Sequence, residues 1–537
     1  MHVNEPITES SNYHGSSEAT MPLADEPHVK PEVETKPEKS HAARHSKSEN
    51  GLEEIGIIFG NVGTSIFNIL LTATIEKLEY VQTEHETHGW ILGQITEIER
   101  KTDLSIDKVQ IMAEGQKMDI EEKQIAQVLL VGYRDERNLL QSPRTPLQAG
   151  ARVFKATNDL IRNAIGLKEH TEAGAYMGLL AGHDIRIELD INKMVQKHVS
   201  ILAMTGAGKS YCSGVFIEEL MKHDVTTVII DPHGEYHTLG ERGKIDDKIK
   251  RDFGVHTKGY SDKINEFAAY TKINKDAKPL RFTLSTLDAR DILSLTNIKN
   301  VRSYLTMLRR AVDMLREAKG DFSIKDIIDT LLAGEDAQAG PLINQLEYLQ
   351  DSEIFVERGT KIDDLVRKGK TTIINLKGAA PDIQELIVNR LCTNLFELRK
   401  ADKIPPLMIV MEEAHNFCPQ QGIANSTRIL RTLASEGRKF GLGLTIISQR
   451  PAKVDKNIVS QCNTQITLKV TNPNDLKAIA SSLEGLTASM EEEIQRLPIG
   501  TALITGGGAS MPLFVEIRPR ETKHGGESIE VVQTKRM

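Results

Sequence analysis

The residues Thr205, Gly206, Ala207, Gly208, Lys209, Ser210 and Tyr211 follow an apolar run at 199–203 and open a helix-like stretch. A strand that breaks into such a turn does one kind of chemistry well. Its backbone N–H groups converge on an anion, and the helix behind them adds its positive dipole end. The seven residues are therefore candidate nucleotide ligands. Lys209, on a surface loop, reaches the β- and γ-phosphates of ATP, and the Ser210 hydroxyl is placed for Mg²⁺. The pattern G-x-x-x-x-G-K-[ST] asks for glycine at 203, where this chain has Ala203. That position only ends the strand, so a methyl group fits and the loop is expected to work.

Phosphate transfer also needs carboxylates. "PPLMIVMEEAHNF" (405–417) is an apolar strand that ends in Glu412 and Glu413. On a continuing strand the two would face opposite ways; at a strand end they can divide the work. Glu412 would hold the Mg²⁺ shell, one methylene longer than the usual Asp. Glu413 would orient and deprotonate the attacking water. In "SEGRKFGLGLTIISQRPAKVD" (435–455) a strand runs up to Gln449, a polar group at the phosphate edge. Arg438 and Lys439 lie at a helix end, on the far side of the domain from their own loop. They suit an arginine finger for a neighbouring subunit, the alternative being compensation of the helix dipole. In "IIDPHGEY" (229–236), Asp231 either positions water or a neighbour's cation, or caps the Pro-Gly turn.

These groups require a parallel sheet to hold them. "VTTVIID", "TTIINL", "PPLMIVM" and "LGLTIIS" are continuous apolar runs separated by helical periods, as expected of strands covered on both faces. A helical insertion at about 286–368 contains the amphipathic piece "VRSYLTMLRRAVDMLREA". The text before 190 differs. Short strand-like runs such as "GWILGQITEIE" and "IAQVLLVGYR" predict a small barrel or sandwich, followed by a short helix at "NDLIRNAIG". The 21 residues 55–75 hold no charge, but Asn61-Val62-Gly63 reads as a turn between two strands rather than as part of a membrane span. The expected organisation is a disordered acidic tail at 1–50, a β-barrel at 53–190, an α/β core at 191–285 and 369–520 split by the insertion, and a tail at 521–537.

Composition narrows the class. With 537 residues, several cores are expected. The four cysteines stand apart with no C-x-x-C pairing, which argues against a disulfide framework or zinc site and fits a reducing, cytoplasmic setting. The net charge of −8 confines nucleic-acid contact to a local basic surface. Residues 1–50 carry nine acids against five Lys and Arg, so −4 of that charge, and almost no large apolar residues.

Taken in order, "DINKMVQKHVSILAMTGAGKS", "IIDPHGEY", "IVMEEAHNFCP" and "ASEGRKFGLGLTIISQRPAKVDKNIVSQCNTQI" resemble the archaeal HerA family of hexameric DNA translocases, within the HerA–FtsK group of P-loop ATPases. The resemblance covers about 53–520. It implies a RecA-like core behind a small barrel of the HAS type, and a homohexameric ring that pumps double-stranded DNA. It implies partnership with the nuclease NurA, and work with Mre11–Rad50 in resecting DNA ends for homologous recombination. It also implies that Lys209, Glu413, Arg438 and Asp231 are the ATPase residues, with Ala203 and Glu412 as departures from the family pattern. Two other readings keep the same motifs: a conjugation- or secretion-type motor, and a ring platform that recruits a nuclease. By position, loops near 419–427 and the basic insertion are the candidate DNA-facing segments.

Overall fold

The uncharged stretch 55–75 folds as a hairpin, with Phe59 paired to Asn68 across the turn. In the computed structural model, residues 51–526 are described apart from 118–119, 168–170, 297, 299–300, 335–337, 423 and 484–486. The acidic tail expected at 1–50 lies outside them. Six strands build the first body: β1 (Glu54–Phe59), β2 (Ile66–Leu71), β3 (Tyr80–His85), β4 (Gly89–Thr102), β5 (Glu122–Arg134) and β6 (Arg152–Lys155). They pair in the order β2-β1-β6-β3-β4-β5, and β5 returns to β2 and closes a barrel. Alternate residues point inward, so Ile55, Phe67, Ile69, Val81, Ile91, Ile95, Val128 and Val153 fill the interior. Helix α1 (Asn158–Ile165) follows, capped by the Thr157 side chain.

The second sheet holds β7 (Gly174–Leu180), β8 (Arg186–Asp190), β9 (Val199–Leu202), β10 (Thr227–Asp231), β11 (Ile264–Ala268), β12 (Thr371–Asn375), β13 (Leu407–Met411), β14 (Leu442–Ser448), β15 (Thr464–Thr467), β16 (Thr501–Thr505) and β17 (Leu513–Ile517). Their order is β11-β12-β10-β13-β14-β9-β15-β16-β17-β7-β8, with the two-residue strand Lys278–Pro279 beyond β11. From β11 to β15 every pairing is parallel; from β15 to β8 every pairing is antiparallel. β9, β10, β12, β13 and β14 are buried at every residue, as their unbroken apolar sequences predict. The chain is thus an α/β protein with a parallel, RecA-like core and an N-terminal barrel. β7 and β8 fall within the span the sequence assigns to the barrel, yet they extend the second sheet through β17.

Helices α2 (Lys209–Lys222), α3 (Val301–Ala318), α4 (Ile324–Ala333), α5 (Gly340–Asp351), α6 (Pro381–Lys400) and α7 (Thr427–Glu436) complete the positions needed below. α3 coincides with the amphipathic piece named above. α3 to α5 sit between β11 and β12, where Leu308, Val312, Ile327, Leu342 and Leu346 make their shared core.

Residues 521–526 do not behave as a tail. Arg518, fully buried, donates to Glu218 Oε2 (2.9 Å) and Glu219 Oε1 (2.6 Å) on α2. Glu521 accepts from the Tyr260 hydroxyl at 2.6 Å, and the Thr522 N–H reaches Glu218 Oε1 at 2.9 Å. A buried guanidinium needs carboxylates around it, and those carboxylates hold the segment against α2.

Candidate nucleotide site

β9 lies between β14 and β15 and delivers the glycine turn at the carboxyl edge of the sheet. Ala203 is buried there, and its N–H donates to the Ser448 carbonyl at 3.3 Å. Gly206 (φ 80°) and Gly208 (φ 93°) take the left-handed conformations that make the cradle, and Gly208 caps α2. The first intrahelical bond there runs from Cys212 N–H to Gly208 C=O. The N–H groups of Lys209, Ser210 and Tyr211 are therefore left for a ligand. The Tyr211 hydroxyl accepts from Arg520 N–H at 2.9 Å, which ties the cradle to the chain's C-terminal segment.

Lys209 is not on the surface, as its loop position suggested. It is buried, its Nζ bonded to Glu412 Oε1 and 3.1 Å from Glu413 Oε1. Burial opposes its charge, but the two carboxylates outweigh that and hold the ammonium above its ordinary pKa. Burial likewise raises the Glu412 carboxyl, with Lys209 pulling against it.

The two glutamates meet on one lysine because the strand ends between them. β13 stops at Met411, and Glu413 adopts φ 50°, ψ 45°. A left-handed glutamate is strained, and the kink turns a side chain that would have faced away back toward Lys209. The Gln449 amide bridges the site: its Oε1 accepts from Thr205 Oγ1 (2.5 Å) and its Nε2 donates to Glu413 Oε1 (2.6 Å). Ala207 is buried in the turn and Ser210 half-buried in the first turn of α2.

Asp231 ends β10 on the neighbouring strand. It is buried and accepts from the N–H groups of His233 (3.3 Å), Gly234 (2.8 Å) and Tyr236 (3.0 Å). Burial pushes its carboxyl up to about 6, against those backbone bonds. Arg438 is not with this group. It lies before β14, at the opposite end from Gln449 of that seven-residue strand, which spans about 23 Å at roughly 3.3 Å per residue. Its side chain is exposed and forms no ion pair among the described residues.

Three residues escaped the sequence reading. Tyr236 donates to Glu412 Oε2 at 2.6 Å. His415 Nδ1 lies 3.3 Å from Glu413 Oε2 and 3.2 Å from Ser448 Oγ. His198, buried and pushed down to about 4 by desolvation, accepts from Leu444 N–H (3.0 Å) and bonds the Ala434 carbonyl (3.0 Å), fixing the helix end that carries Arg438. Tyr236 and His415 stand inside the quoted motifs, which was their only signal; the partners of His198 lie more than 200 residues away.

The family model "Helicase HerA, central domain" matches residues 175–395. The chain is 30% identical to a probable DNA double-strand break repair helicase HerA of Methanocaldococcus jannaschii, over 76% of this chain and 88% of that protein. It is 28% identical to the DNA double-strand break repair helicase HerA of Pyrococcus furiosus, over 89% of this chain and 96% of that one. The corresponding protein of Sulfurisphaera tokodaii is 27% identical over the same shares, 89% and 96%. With a cradle, a lysine and paired carboxylates at the edge of a parallel sheet, and with relatives matched along most of their length, the chain belongs to the HerA family of helicases.

Proposed function

We propose that this chain is an ATP-driven motor that assembles as a homohexamer and translocates double-stranded DNA, acting with the NurA nuclease in the resection of double-strand break ends. The same reading includes work beside Mre11–Rad50 and a cytoplasmic setting, consistent with four buried, unpaired cysteines. Among the described residues no helix is long and apolar enough to cross a membrane. The observation that carries the ATPase part is the burial of Lys209 between Glu412 and Glu413 at the mouth of the cradle.

ATP binding exchanges partners on Lys209. The β- and γ-phosphates replace the carboxylates around its ammonium, and both glutamates are released. Glu413 then orients and deprotonates the attacking water, and Gln449, bridging Thr205 and Glu413, reports the γ-phosphate. Ser210 and Glu412 offer hard oxygen ligands that fit Mg²⁺, and Glu413 Oε2, with His415 Nδ1 at 3.3 Å, is a buried acceptor that takes no hydrogen bond among the described residues. The metal supplies charge neutralisation on the phosphates when bound. Asp231 holds the adjoining turn and, through it, Tyr236 against Glu412. Arg438 is too far from its own cradle to act there and suits the cradle of the next copy, which supports the ring.

Turnover measured with and without linear duplex DNA, and with the nuclease, tests the reading. DNA-stimulated hydrolysis by a particle of about six chains is expected. A monomer with DNA-independent turnover would sink it. Full resection by a Lys209→Ala ring would turn it into a platform.

A further inference from the structure

The ATP tail has a direction in this site. Glu412, Glu413 and Gln449 stand on the β13–β14 side of the cradle, so the γ-phosphate lies there. β9 has its other neighbour in β15, and β16 follows beyond it. The nucleoside must leave on that side. The loop that enters β16, Leu497-Pro498-Ile499-Gly500, comes up against the cradle at this point. A Cβ placed on Gly208 would sit 3.7 Å from Leu468 Cδ2, 3.8 Å from Gly500 N and 3.9 Å from Ile499 Cγ2. Leu468 is buried, whereas Ile499 is 76% exposed. It is a large aliphatic side chain left mostly open to water beside a polar cradle, with little among the described residues covering it. A flat, weakly hydrated ring is the natural cover for such a side chain.

We propose that Ile499 is the nucleobase shelf of the site, taking one face of the ATP purine while Gly208 to Tyr211 hold the phosphates. The proposal rests on the nucleotide-binding reading above. Ile499 is a positioning and affinity residue and touches no reacting atom.

The test compares ATP with inorganic tripolyphosphate, which carries the same charges and no base, by titration calorimetry with Mg²⁺ present. Ile499→Ser should weaken ATP binding about tenfold, the size of a lost aliphatic contact. It should leave tripolyphosphate binding and the melting temperature unchanged, raise the KM for ATP, and leave kcat alone. Ile499→Leu should restore the affinity. Equal ATP affinity in Ile499→Ser and the unaltered protein overturns the shelf. So does an equal loss for both ligands, which would mean a distorted cradle, or a loss confined to the assembled state, which would make Ile499 a subunit contact. Lys209→Ala separates the two claims: it should weaken both ligands, and if it weakens neither, the phosphate cradle itself is misassigned whatever Ile499 does.

Discussion

At the scale of single residues, Lys209 is both ligand and counter-ion. Lys209→Ala should abolish hydrolysis, and it should also destabilise the nucleotide-free protein by about 3–5 kcal/mol, because two buried carboxylates lose their cation. Burial already holds Glu412 high, and without the ammonium its pKa in the folded state rises further. A raised carboxyl loses stability as pH climbs from the ordinary carboxylate range through the raised value. Thermal unfolding should therefore show a larger deficit at pH 8 than at pH 5; a deficit that ignores pH would contradict the pairing. Asp231 makes the same argument with a number. Held at about 6 in the folded chain against an ordinary 3.8, it forfeits up to about 3 kcal/mol as pH rises from 4 to 7. Asp231→Asn cannot titrate, so its melting temperature should gain a few degrees on the unaltered protein across that window. Glu413→Gln should still bind ATP while cleavage falls by on the order of 10²–10⁴; failure to bind would show that the two glutamates share the metal. That the lysine and the paired acids gather at the glycine turn was legible in the sequence, because each is local to a strand end. Tyr236 on Glu412 was not, since nothing in a sequence reports a contact spanning 176 positions.

At the scale of elements, the strands announced themselves and their edges did not. Five fully buried strands read directly from apolar runs, and the turn at 61–63 from its asparagine and glycine. β7 and β8 fall inside the span read as a barrel from its short strand-like runs; only the pairing of β7 with β17 reveals their allegiance. The segment after Arg518 runs into the span read as a tail, although Arg520 and Glu521 are buried in it. The cradle itself is an element with a backbone demand. Gly208→Ala has room, the nearest atom being 3.7 Å away, but its φ of 93° costs an L-residue about 1–2 kcal/mol, and that strain falls on the turn that makes the cradle. Expected is a small loss in melting temperature and a large one in ATP affinity by fluorescence titration; the reverse would mean that the turn serves the fold rather than the phosphates.

At the scale of the whole molecule, β14 carries Gln449 at one end and Arg438 at the other, so a single strand serves two different nucleotide sites if the copies form a ring. A guanidinium on the transferring phosphoryl is worth on the order of 10³–10⁵ in rate, and lysine lacks its planar fork. Arg438→Lys should therefore assemble and bind ATP but lose most DNA-stimulated turnover. Mixed with Lys209→Ala subunits, it should regain part of that turnover, because some interfaces then combine an intact lysine with an intact arginine. Robust activity of Arg438→Lys alone would reduce the residue to a helix-end cation. The tie between Arg518 and α2 has a consequence in time. Glu218 and Glu219 leave the ribosome 300 and 299 positions before the guanidinium that neutralises them. At roughly 5–20 residues per second that is about 15–60 s of synthesis. During that interval Glu218 is without its guanidinium and Glu219 has only Lys222 beside it on the same helix, at 2.7 Å, so the helix that opens the cradle is among the last elements to have its buried charges matched.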